Sequence, residues 1–210
     1  LDLGSSGQDD LYGYGEIRVQ DALDAYLNSL GSNGLSDIGT GDLVITEIMH
    51  DPTTVADFRG EWFEIYNNTS TTIDLQGLTV ENGVESGFTI SNSLEVDANS
   101  YAVLGVSGSP ISNGGLTVNQ TYAYTDLKLR KNGSLTIKHN NTVFDTVTYT
   151  ANTFGYQAGS SLSSSTLNAS NNDSGSSWCL ATSSYGDGDL GTPGSANPAC
   201  SNISGIDSLQ

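Results

Sequence analysis

The sequence predicts an all-β protein, an antiparallel β-sandwich with one short helix ahead of it. Composition is the first reason. Twenty-five glycines stand among abundant Ser, Asn and Thr in 210 residues, and only 14% of the chain is charged. Gly, Asn and Ser serve turns, while Thr serves strands. The second reason is spacing: short β-branched and aromatic runs, each closed by turn residues, recur at intervals of roughly 8–15 residues, as in a sandwich. The third is that a single stretch carries helical periodicity.

That stretch comes first. Ala22, Leu23, Ala25, Tyr26 and Leu27 fall at helix-compatible positions, Val19 extends the stripe, and Gly31-Ser32-Asn33-Gly34 ends it. Residues 1–30 thus read as the end of a preceding unit, and 31–41 as a linker. From Asp42 the pattern changes to strands. Leu43–Met49 is a β-rich run closed by Asp51-Pro52, and Glu61–Tyr66 is the next, closed by Asn67-Asn68. Within it Phe63 and Ile65 share one face and Trp62, Glu64 and Tyr66 the other, which makes Trp62 a packing residue rather than a ligand platform. Further strands are expected at 71–75, 77–81, 87–90, 100–106, 121–125, 133–138 and 142–149. Gly77 suits a turn or bulge, and Asn132-Gly133 and Asn140-Asn141 read as hairpin turns. Residues 155–200 lack periodicity and read as a long loop wrapping the sandwich, held by Trp178. Residues 201–210 read as a linker toward a missing C-terminal segment.

Two cysteines, Cys179 and Cys200, lie outside any CxxC and are too few for a zinc site. A disulfide between them is the better reading, two free thiols the alternative. It implies an oxidising compartment, hence a secreted or cell-surface protein. Leu1 in place of an initiator Met, with no signal-like apolar stretch, suggests a fragment or mature piece of something longer.

Charge excludes whole classes of function. Six Lys+Arg against 24 Asp+Glu give a net −18, which argues against nucleic acid and against anionic membranes. No apolar run is long enough to insert into a membrane. Four of the six cations, Lys128, Arg130, Lys131 and Lys138, gather around one expected hairpin. They read as a local counterweight or as a docking patch.

Four blocks carry a family resemblance. They are Val44–Pro52, Glu61–Asn67, Ile73–Val80 (with Leu78 where Trp is usual) and Gly191–Asn197, with Trp178-Cys179 upstream of the last. In this order they resemble the lamin-tail domain of secreted bacterial proteins. The resemblance implies an immunoglobulin-like sandwich over residues 42–200, with Trp62, Trp178, Gly191, Pro193 and Gly194 as structural residues. Gly194 after Pro193 also fits a type II turn. A second resemblance covers Tyr12–Leu23, which is similar to the end of subtilisin-like serine protease catalytic domains. The catalytic blocks of that family are absent. The same region has calcium-loop spacing from Asp10 to Asp21, but Tyr12 and Tyr14 sit where oxygen ligands are needed. The closing residues 201–210 are similar to segments that precede sorting domains of the type IX export route.

Chemistry-bearing residues are sparse. His50 and His139 are the only histidines, and no GxSxG, HExxH or GxxxxGK motif occurs. Glu47, Asp51, Asp57, Glu61 and Glu64 crowd near one inferred loop, and Asp187 and Asp189 lie beside the closing block. Glu47, Asp51, Glu64, Asp187 and Asp189 suggest calcium, the one cofactor the residues point to, with simple solvation as the competing reading. The expected function is a non-catalytic accessory module of a secreted bacterial multidomain protein, attached to a subtilisin-like serine protease, that mediates attachment to an extracellular surface or polymer or stabilises neighbouring domains of the same polypeptide. Two alternatives stay open: a cell-surface adhesion or structural protein without a protease parent, and a metal-dependent hydrolase built on Glu47, Asp51 and Glu64.

Overall fold

The computed structural model describes residues 33–200. The expected helix at 21–27, the protease-like block, the calcium-loop spacing and the closing linker lie outside the described residues.

The strands are β1 (Asn33–Gly34), β2 (Leu43–Met49), β3 (Trp62–Asn67), β4 (Ile73–Asp74), β5 (Thr79–Glu81), β6 (Phe88–Thr89), β7 (Glu95–Val96), β8 (Tyr101–Gly105), β9 (Gln120–Thr121), β10 (Gly133–His139), β11 (Thr142–Tyr149), β12 (Leu162–Ser164) and β13 (Trp178–Leu180). A six-stranded sheet runs β13-β12-β2-β3-β8-β9, a four-stranded sheet runs β11-β10-β5-β6, and a three-stranded sheet runs β1-β4-β7. Pairing is antiparallel except for β1 with β4 and β8 with β9. This is the antiparallel sandwich that the strand spacing predicts, in the immunoglobulin-like form that the family resemblance implies.

The main core lies between the six- and four-stranded sheets. Leu43, Ile45 and Ile48 of β2, Phe63 and Ile65 of β3 and Leu104 of β8 meet Val80, Leu135, Ile137, Phe144 and Val147. The alternation expected in β3 holds: Trp62 leaves this core and joins Met49, Val103 and Leu116 in a second cluster on the other face of the sheet. Both faces of the central strands are therefore covered, and every residue of β2 and β3 is buried. A strand covered on both sides needs apolar residues at nearly all positions, which is why Leu43–Met49 reads as a continuous run. The interruptions, Thr46, Glu47 and Glu64, mark the places where polar groups are buried with partners.

Three expectations need correction. Residues 33–41 are not a free linker. Asn33–Gly34 pairs with β4, and Leu35 is buried in the core, because the edge of the small sheet needs a backbone partner. Asn132-Gly133 is not a hairpin turn. Gly133 opens β10, no strand immediately precedes it, and Asn132 Oδ1 instead accepts from the Ala151 N–H at 2.9 Å. Residues 155–200 are not merely a wrapping loop. β12 and β13 extend the large sheet, with Leu162 facing Ile48 in register. Serine runs hide this, since Ser160, Ser161, Ser163 and Ser164 are all buried without being apolar. The Asn140-Asn141 connection does close a hairpin, with Asn140 at φ 52°.

Cys179 on β13 is bonded to Cys200, with 5.5 Å between their Cα atoms and a sequence separation of 21. The bridge ties the end of the segment 181–200 to the sheet edge. A loop of that size stabilises by about 3 kcal/mol through the unfolded chain. The Cys179→Ser/Cys200→Ser double variant should lose about that much in urea unfolding, and an unchanged midpoint would contradict the assignment.

Candidate functional site

The second face of the large sheet holds two of the predicted acidic residues, Glu47 and Glu64. β2 carries an irregularity between Ile45 and Glu47: Ile45 pairs with Ile65, Glu47 with Glu64, and Thr46 is the extra residue. A bulge of this kind re-aims side chains. Ile45 and Ile48 stay in the main core, while Thr46 and Glu47 bond on the outer face. Glu47 and Glu64 are thus cross-strand neighbours, both fully buried.

The closing block supplies their partners. The Thr192 N–H donates to Glu47 Oε1 at 3.0 Å, and the Gly194 N–H donates to Glu64 Oε2 at 2.7 Å. The Ser161 hydroxyl completes Glu47, and the Thr46 hydroxyl donates to Glu64 Oε1 at 2.7 Å. Asn197 Nδ2 then reaches the carbonyls of Thr46 and Ser164, at 2.9 and 3.1 Å. Thr192–Ser195 forms a turn closed by a Ser195 N–H to Thr192 C=O bond of 3.0 Å, with Gly194 at φ 79°. Pro193 and Gly194 therefore occupy the central positions of a type II turn, where Pro presets φ and Gly accepts the positive one. Gly191 is required for another reason. A Cβ there would stand 2.9 Å from Glu47 Oε1 and 3.1 Å from the Trp62 ring. Trp62 lies under the strap, donating from Nε1 to the Tyr185 hydroxyl at 2.8 Å with the two rings edge to face. Trp178 belongs to the main core and donates to the Asn172 carbonyl at 2.6 Å.

Burial raises Glu47, against the lowering effect of its hydrogen bonds. Burial also raises Glu64, and repulsion from Glu47 raises it further. None of the ion pairs among the described residues includes either carboxyl. Two more buried carboxyls follow the same rule. Glu61 is pushed up to about 8 by burial, while its Oε2 accepts from the Leu129 N–H at 2.8 Å. Asp145 is pushed up to about 6 by burial, while it accepts from the Ile45 N–H and Asn172 Nδ2, both at 2.7 Å.

The five residues expected to share a calcium ion are not brought together. Glu47 and Glu64 meet, but their oxygens receive N–H and O–H donors, which present positive ends where a cation would need space. Asp189 is taken up by Thr53 and Thr54, accepting from both hydroxyls and both backbone N–H groups. Asp51 accepts from the Tyr156 hydroxyl, and Asp187 is tied through its backbone N–H to the Gly114 carbonyl. Calcium has six to eight oxygen ligands, and among the described residues no group of three or more His, Cys, Asp or Glu is placed to hold a metal. The hydrolytic alternative asked for the same kind of grouping, of Glu47, Asp51 and Glu64, and among the described residues these three form no such group. The two histidines are also apart: His50 stacks between Tyr149 and Tyr156, while His139 bonds the Gly77 carbonyl.

Sequence reasoning missed Thr46, Ser161, Asp145 and Asn172. Nothing marks Ser161 among its neighbouring serines, and Asp145 looks like one polar residue in an alternating strand. The basic residues do cluster, but on different partners. Arg130 pairs with Glu85 and Lys138 with Glu81, while Lys128 and Lys131 lie over the rings of Tyr124 and Tyr156.

Comparison with known families gives one finding: the model of the family described as Lamin Tail Domain matches residues 37–182. No curated protein matches the chain.

Replacing Glu64 by Ala strands the Thr46 hydroxyl and the Gly194 N–H and should cost roughly 2–4 kcal/mol in chemical unfolding. Glu64→Gln keeps an acceptor for Gly194 and should cost clearly less. The pH dependence has a definite sign. A carboxyl raised in the fold keeps its proton where the unfolded chain, near 4.5, has released it. Stability should therefore fall as pH rises from about 4.5 to about 8, and the thermal midpoint should be higher at pH 5 than at pH 8. Chelator should leave that midpoint unmoved.

Proposed function

Because this chain belongs to the lamin tail domain family, a family of non-catalytic immunoglobulin-like folds, we propose that it is an accessory attachment module of a secreted bacterial multidomain protein. The observation that carries this reading is the fate of the acidic residues. The carboxyls that a hydrolytic or metal site would use are spent as acceptors for the closing strap. What they support is a rigid unit locked at its end by the disulfide. The disulfide favours an oxidising compartment. No described helix is long and apolar enough to cross a membrane. The net charge of −18 disfavours nucleic acid. The role left to such a unit is to hold a neighbouring domain against an extracellular surface or polymer. We take that neighbour to be a subtilisin-like serine protease, on the resemblance of Tyr12–Leu23.

The 210-residue chain should show no turnover on peptide, glycan or nucleic-acid substrates with divalent metals added. It should co-sediment with insoluble cell-wall or matrix polysaccharide. Turnover, or a supernatant that retains all the protein, would reject the reading. The gene upstream should encode the serine block of a subtilisin-like domain, and a different upstream domain would reject that parent.

A further inference from the structure

One end of the sandwich carries a polar cleft of about 310 Å³ that the strap and the disulfide do not use. It lies between the loop 50–61 and the segment 124–131. Loops gathered at the end of a sandwich are where this architecture holds ligands. Asp51, Asp57 and Glu61 line one part of it, and Lys128, Arg130 and Lys131 another. Tyr124 contributes an aromatic ring between them, with Lys128 Nζ 5.2 Å from its centre.

One feature at the floor indicates a polar group still in want of a partner. His50, only 4% exposed, has an Nδ1 with no hydrogen-bond partner among the described residues. Buried polar groups are ordinarily paired, so an unpaired ring nitrogen in a residue lining the cleft points to something that occupies it. Beside it Glu61 accepts from the Leu129 N–H through Oε2. The rim adds two cations outside any ion pair among the described residues, Lys128 over the Tyr124 ring and Lys131 over the Tyr156 ring.

The charge pattern selects the occupant. Glu61 keeps its proton at neutral pH and Arg130 is paired with Glu85, which leaves Asp51 and Asp57 facing Lys128 and Lys131, so the cleft has no excess of either sign, on a chain whose net charge is −18. An acidic polymer would meet the carboxyl wall and the surrounding negative field. A metal would meet the lysines. Vicinal hydroxyls suit both walls at once, since each donates to a carboxylate and accepts from an ammonium. The C–H face of a sugar ring suits Tyr124. We propose that this end cleft is a binding subsite for a neutral polysaccharide, with Tyr124 as the stacking platform, Asp57 and Glu61 as acceptors and Lys128 as donor. The assignment rests on the attachment reading above and names its ligand class.

The test is affinity electrophoresis of the full chain in gels containing soluble β-glucan, xylan or mannan, with polygalacturonate as the acidic comparison. At least one neutral polymer should retard the protein. Salt raised from about 50 to about 500 mM should leave that retardation unchanged, because no net charge is exchanged. Tyr124→Ala and Lys128→Ala should each weaken it about tenfold, the effect of losing one good contact. Lys138→Ala, on the neighbouring hairpin, should leave it intact. Thermal melts of each variant establish that it is folded, and Lys128→Ala serves if Tyr124→Ala is not. Retardation by polygalacturonate alone, abolished by salt, would overturn the neutral ligand in favour of an acidic one. Retardation equal in wild type and in folded cleft variants would overturn the cleft while leaving attachment standing. Absence of retardation in every neutral gel, with co-sedimentation preserved, would do the same. Loss of both would overturn the attachment reading itself.

Discussion

Two carboxyl side chains, buried side by side on adjacent strands, are the constraint around which this domain is arranged. Glu47 and Glu64 sit in the middle of a sheet whose other face is the main hydrophobic core. Burying two like acidic groups is unfavourable unless donors surround them. No described cation supplies that compensation. Neutral donors supply it, the backbone N–H groups of Thr192 and Gly194 and the side-chain hydroxyls of Thr46 and Ser161. The closing segment is thereby obliged to cross the sheet at one place and in one conformation.

Much else follows from that crossing. Gly191 has no side chain because the strap passes directly over Glu47 and Trp62. Gly194 adopts a positive φ because the type II turn aims its N–H at Glu64. Trp62 points away from the main core because the strap, through Tyr185, gives it a second one. Asp189 continues the same logic one step upstream, pinning the loop at Thr53 and Thr54. The disulfide at Cys200 fixes the far end of the segment. Acidic residues that look, in the sequence, like a metal or hydrolytic site are fasteners. Under the attachment reading, the open end of the sandwich is then the place to look for a ligand.

The sandwich itself was legible. Alternation in β3, the apolar run of β2 and the Asn140-Asn141 turn between β10 and β11 each state their structure locally. The closing turn was legible too, since Pro followed by Gly has few other uses. What could not be read was the pairing of distant segments. β12 and β13 are only three residues each, too short to show a period, and serines fill β12. Leu35 looks like part of a linker because its partners come from strands far along the chain. For the acidic residues, the sequence shows proximity but not direction. A carboxyl beside a loop reads alike whether it faces a cation, water or a backbone N–H. Only the bulge at Thr46 decides which way Glu47 turns, and no residue type announces it.

Amide hydrogen exchange at Thr192 and Gly194 tests the central claim most directly. Neither N–H bonds to a backbone carbonyl; each donates to a carboxyl of the pair, so its protection reports that contact alone. The account predicts exchange as slow as that of the central amides of β2 and β3. Exchange at the rate of an open loop, with those strands still protected, would contradict it.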